Sequence, residues 1–142
     1  MSAFLTELQV KPATGKDDGQ WELLADLIYQ SDVAGMTFTV PKGFVTNFAS
    51  VPRIPIIYEL AGDTSSEAAT VHDFLYSTHP VSRAMADAVL REASNVTAVP
   101  GWRRQIMWAG VRVFGWLYWG SAATSTKPAS AAAVIQPIPV KS

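Results

Sequence analysis

The sequence has no cysteine among its 142 residues. Disulfides and thiolate chemistry are thereby excluded, and a bound metal would have to be held by His, Asp or Glu. Charge is also scarce, at 16% of residues against the usual quarter. Two arrangements fit that scarcity: a core that takes up most of the chain, or a surface that a partner covers. The net charge of −1 and pI near 6.1 leave no electrostatic footprint for nucleic acid. The start, Met1 to Glu7, lacks the basic residues and long apolar stretch of a signal peptide, so synthesis in the cytoplasm is expected.

What is present is apolar and aromatic. Hydrophobic residues make up 49% of the chain and aromatics 11%, enough for one domain with a core of its own. The first half alternates as strands do. Phe4, Thr6, Leu8 and Val10 share one side of a strand, as do Trp21, Leu23, Ala25, Leu27 and Tyr29 of a second, although Leu24 and Ala25 suit a short helix equally well. Met36 to Val40 is a third strand, closed by Pro41-Lys42-Gly43, and Phe44 to Thr46 a short fourth. The connections are too short for crossover helices, which predicts antiparallel pairing.

The second half has helical spacing. Ser65-Ser66-Glu67 reads as the start of a helix reaching about Tyr76. Val81 to Ser94 forms a second, with Arg83 and Asp87 four apart, and Trp102 to Trp119 a third. From Ile106 to Trp119 only Arg112 is charged, but the run is shorter than the roughly 20 residues of a spanning helix. A core helix is the expectation, in preference to one lying at a membrane interface, and no membrane span is predicted. The fold class is α+β: a small N-terminal antiparallel sheet of three or four strands against about three C-terminal helices. Residues 1–120 form the domain. Residues 121–142 form an Ala/Ser/Pro-rich tail whose Val134, Ile135, Pro137, Ile138, Pro139 and Val140 make an extended, partner-docking peptide.

Two polar clusters stand inside apolar sequence. In Phe44 to Arg53, Thr46, Asn47 and Ser50 have the character of loop residues that bond backbone. Ser50 lacks a nucleophile-elbow setting, while Arg53 is a candidate clamp for an anion. In the second cluster, His72 shares a helical face with Tyr76, and Asp73 is turned about 100° away. Asp87 meets the His72 face across the turn at Pro80. One outcome is a buried histidine bonded to Asp or Tyr that ties two helices together, with Asp87 paired to Arg83. The other is a site for zinc or another divalent ion on His72, Asp73 and Asp87. The spacing matches no zinc motif, which favours the first and a protein without a cofactor. His79, before Pro80, reads as an exposed turn residue.

The ordered set Phe44-x-Thr46-Asn47-Phe48-Ala49-Ser50-Val51-Pro52-Arg53, Ala69-x-x-His72-Asp73-x-x-Tyr76 and Arg83-x-x-x-Asp87 resembles the phage and prophage family called domain of unknown function 1353. Val111-Arg112-x-Phe114-Gly115 and Trp119 extend the resemblance, which runs over about residues 4 to 120. The family often carries an acidic residue where this chain has Asn47. The resemblance implies a phage origin and an α+β domain, but no mechanism.

The expected function is therefore a structural or accessory protein of the virion, in its tail or assembly, made in the host cytoplasm. Its partners would be other phage structural proteins or copies of itself, docked through the tail. The alternative is a small metal-dependent hydrolase of cell-wall peptide or glycan, using His72, Asp73, Asp87 and Arg53. A third reading, a host-directed inhibitor, has no residue that selects it.

Overall fold

The computed structural model describes residues 1–13, 20–46, 66–117, 119 and 136–138. Their architecture is α+β, with two antiparallel sheets covered by three helices. Strands are β1 (Ala3–Phe4), β2 (Val10–Pro12), β3 (Trp21–Leu23), β4 (Leu27–Ser31), β5 (Met36–Val40), β6 (Val45–Thr46) and β7 (Gln136–Pro137). Helices are α1 (Ser66–Thr78), α2 (Arg83–Val96) and α3 (Gly101–Phe114). One sheet has the order β1-β4-β5-β7 and the other β2-β3-β6.

The single N-terminal sheet of the sequence reading is thus two, because both long strand candidates divide. In the first, the Thr6 hydroxyl donates to the Asp26 carbonyl and accepts from the Ile28 amide, each at 2.9 Å. A side chain takes over there from the backbone ladder, and β1 and β2 go to different sheets. In the second, the chain bends at Leu24 and Ala25, separating β3 from β4. No helix forms at that bend.

The β4–β5 hairpin pairs Leu27 with Val40 through Ser31 with Met36. Alternation carries Leu27, Tyr29 and Ser31 inward from β4, and Phe38 and Val40 from β5. Gly35 closes the turn at φ +63°, a left-handed conformation that favours glycine. Glu92 of α2 clasps this hairpin. Its Oε1 accepts from the Tyr29 hydroxyl at 2.9 Å and the Ser31 hydroxyl at 2.7 Å, and its Oε2 from the Val33 amide at 2.8 Å.

The strands meet Val71, Phe74 and Leu75 of α1 and Val89 and Leu90 of α2 in one core. Helix α1 packs on β4, β5, β6 and α2, whereas α3 packs on α2 and forms the outermost layer among the described residues. The Ser82 hydroxyl caps α2 by accepting from the Met85 amide at 3.2 Å. No described helix is long and apolar enough to cross a membrane.

Within the tail, Gln136 pairs with Thr37 and Pro137 with Met36, so β7 adds to the outer edge of β5. Proline suits that edge position, where no amide is required of it. The Ile138 amide reaches the Gly35 carbonyl at 3.4 Å.

Candidate functional site

Asp87 is the centre of the polar cluster. The apolar face of α2 draws it inward between α1 and α3, leaving it with no exposed surface. Its Oδ1 accepts from the Tyr76 hydroxyl at 2.6 Å and lies 3.0 Å from His72 Nε2. Because a carboxylate only accepts, Nε2 carries the proton of that bond. Oδ2 faces Arg112 Nη1 at 3.3 Å and Arg83 Nη1 at 3.8 Å. Arg83 also donates to the carbonyls of Val111 and Arg112 at 3.1 and 3.2 Å, capping the end of α3. One carboxylate therefore binds groups from all three helices.

Burial by itself would raise the Asp87 carboxyl, but the hydrogen bonds from His72 and Tyr76, the attraction of His72 and the bond from Arg112 outweigh it. The net result lies below the usual aspartate range. Tyr76 is shifted the opposite way: burial first, then its bond to Asp87, hold the phenol well above its ordinary value. Tyr76 is thus a permanent donor and Asp87 a permanent anion at neutral pH.

Aromatic rings frame the cluster. His72 and Tyr76 have ring centroids 4.1 Å apart, and Trp119 meets Tyr76 edge-on at 4.9 Å. His79 stacks on Trp119 at 4.0 Å, and its Nε2 lies 3.1 Å from the Trp119 carbonyl. His79 is exposed, as expected of a turn residue, with φ +53°. Gly115 makes room for this packing, since a Cβ there would lie 2.5 Å from the Tyr76 hydroxyl.

Of the residues singled out from sequence, His72 and Asp87 are brought together and Asp73 is not. Asp73 Oδ2 accepts from the Thr46 hydroxyl at 2.6 Å, tying α1 to β6. Among the described residues, no three His, Asp or Glu side chains gather into a metal-holding set. His72 Nε2 is held by Asp87, while its Nδ1 is buried without a hydrogen-bond partner. The Arg83–Asp87 pair is present but is the longer of the two arginine contacts. Arg53, Asn47, Ser50, Val134, Ile135, Pro139 and Val140 lie outside the described residues.

Two residues escape sequence reasoning, Arg112 in this cluster and Glu92 on the hairpin. Arg112 reaches Asp87 from 25 residues away. Its signal is a lone charge in the apolar run from Ile106 to Trp119, which calls for an acid partner without saying which. Glu92 gave no signal at all.

A sequence profile of the family described as "Protein of unknown function (DUF1353)" matches residues 21–111. That span begins at β3 and ends in α3, taking in the whole Asp87 cluster except its Arg112, and leaving out β1, β2 and the tail. No curated protein and no solved structure matches the chain.

Proposed function

Since this chain belongs to the DUF1353 family, whose description assigns no activity, we propose a function from its geometry: a non-catalytic accessory protein of a phage particle. It resides in the virion, in the tail or its assembly, and holds its neighbours by lending them its C-terminal strand. Copies of the same chain are the most direct neighbours, because each offers the same β5 edge.

The observation that carries this reading is the seat of β7 on β5. An extended, Pro-spaced peptide occupies a sheet edge through only two residue pairs. Residues 120–135, fully extended, reach about 50 Å, so the strand can seat on its own domain or on a neighbour's. Exchange of one strand between identical edges is a low-cost route to assembly.

The polar cluster supports the same reading. His72 and Asp87 are 1% and 0% exposed, and their bonds run to each other and to Tyr76, Arg83 and Arg112. Such a network suits holding three helices in register better than admitting a substrate.

Deletion of residues 121–142 tests the proposal. The full chain is expected to sediment as higher-order species, and the shortened chain to lose them while keeping its circular dichroism and cooperative unfolding. Unchanged assembly after deletion would refute it.

A further inference from the structure

Helix α3 is apolar on the side that faces solvent as well as on the side that faces the core. At 100° per residue, Trp102, Ile106, Ala109, Val113 and Trp116 fall in one stripe, taking the helical turn at Trp116 as a continuation. Exposure follows that stripe: Trp102 is 56% exposed, Val113 60% and Trp116 63%, and Leu117 beside them 50%. The opposite side sends Met107 and Val111 into the core. The core-helix expectation is therefore right for one face only. As the outermost layer, α3 has no further element among the described residues to cover the other.

Charge is arranged around this stripe with one sign. The guanidinium of Arg103 lies 5.2 Å from the Trp102 ring, and that of Arg91, exposed on α2, 5.5 Å from the Trp108 ring. Helix α3 contains no acid, and every one of the twelve Asp and Glu residues lies at or before Glu92. Residues 93–142 therefore carry +5, from Arg103, Arg104, Arg112, Lys127 and Lys141, within a chain of net −1. The acids of α2 are engaged elsewhere, Asp87 in the buried cluster and Glu92 on the hairpin.

This distribution selects among possible occupants. A second copy laid against the stripe would set Arg103 and Arg91 against cations of its mate, with no acid on α3 to answer them. An anionic lipid surface answers them directly. Trp102 and Trp116, about 21 Å apart along the helix, fall at the two ends of the stripe, and indole rings favour the headgroup level. Arginine stems lie along apolar surface while their heads reach lipid phosphates.

We propose that the outer face of α3 docks on an anionic lipid surface, lying flat in the interface with Trp102, Val113 and Trp116 inserted and Arg91 and Arg103 on the headgroups. The proposal is independent of the tail's role and holds whether or not the strand exchanges.

Vesicle co-sedimentation of the full chain tests it, using phosphatidylcholine vesicles with and without phosphatidylglycerol. Binding is expected to the phosphatidylglycerol vesicles, weakening as salt rises. The Trp102→Ser/Trp116→Ser variant should lose about tenfold or more in affinity, and Arg91→Gln/Arg103→Gln should bind both vesicle types equally weakly. Trp102, Trp116 and Arg91 are exposed and Arg103 is half-buried, and unchanged unfolding curves would confirm that the variants are folded. Failure of the full chain to bind phosphatidylglycerol vesicles, or undiminished binding by the tryptophan variant, would overturn the proposal. So would a dimer of the full chain that the tryptophan substitutions disperse, since the stripe would then be a self-interface.

Discussion

The Tyr76 hydroxyl sits 2.6 Å from Asp87 Oδ1, the shortest bond that this buried carboxylate makes. It joins the last turns of α1 to the first turns of α2, and the arginines on Oδ2 bring in α3. Asp87→Ala leaves His72, Tyr76 and two guanidinium groups without their shared acceptor. Removing one member of a buried charged network costs roughly 3–5 kcal/mol. Urea unfolding should show that loss, whereas Asp73→Ala, which removes the acceptor of the Thr46 hydroxyl, should cost less, about 1–2 kcal/mol.

The same carboxylate gives the fold an acid limit. Its pKa in the folded chain is lowered, so its stabilising contribution is fully present above the unfolded value of about 3.9. The contribution is lost as pH falls below that value and through the folded pKa. Thermal unfolding of the wild-type chain should therefore weaken steeply under acid conditions. In Asp87→Asn the corresponding slope should be shallower, from a lower starting stability.

Gly115 is small for a packing reason. A Cβ at this position would clash first with the backbone carbonyl of Val111, and would lie 2.5 Å from the Tyr76 hydroxyl and 3.2 Å from Arg83 Nη1. Gly115→Ala is expected to cost about 1–3 kcal/mol, despite alanine's better helix propensity. Adding Tyr76→Phe should not restore it, because the Val111 carbonyl still blocks the Cβ and the Tyr76–Asp87 bond is lost as well.

Ala98 turns the chain after α2 with φ +62°, while Ala98 and Val99 donate to the carbonyls of Asn95 and Ser94. The left-handed conformation is unfavourable for alanine and ordinary for glycine. Ala98→Gly should raise stability by about 0.5–1 kcal/mol, a gain visible as a higher urea midpoint at unchanged slope.

These residues also mark what was legible in the sequence. Met36–Val40 is a strand with the bounds its alternation gives, because it is paired on both sides in the fold. The meeting of His72, Tyr76 and Asp87 was legible too, since helical spacing and one short turn place them on facing surfaces. Arg112 was not: periodicity locates a charge on its own helix but does not say which distant acid it faces. The two-sheet division was hidden because a single hydroxyl, that of Thr6, redirects the ladder. The strand at Gln136–Pro137 was hidden by its prolines, which fit a sheet only at an edge. The solvent face of α3 was hidden for a third reason, since an apolar helix surface looks the same in sequence whether or not something covers it.

The seat of β7 on β5 offers the most direct test of the proposed function. Thr37 and Gln136 are paired across that edge, and the chain has no cysteine of its own. Paired residues of an antiparallel ladder lie within disulfide reach. One preparation would carry Thr37→Cys and another Gln136→Cys, and the two would be mixed under oxidising conditions. Strand exchange predicts a mixed disulfide dimer, formed faster than either variant dimerises alone. No mixed dimer, together with efficient closure inside a single chain carrying both substitutions, would contradict the account and leave β7 as a strand that serves only its own domain.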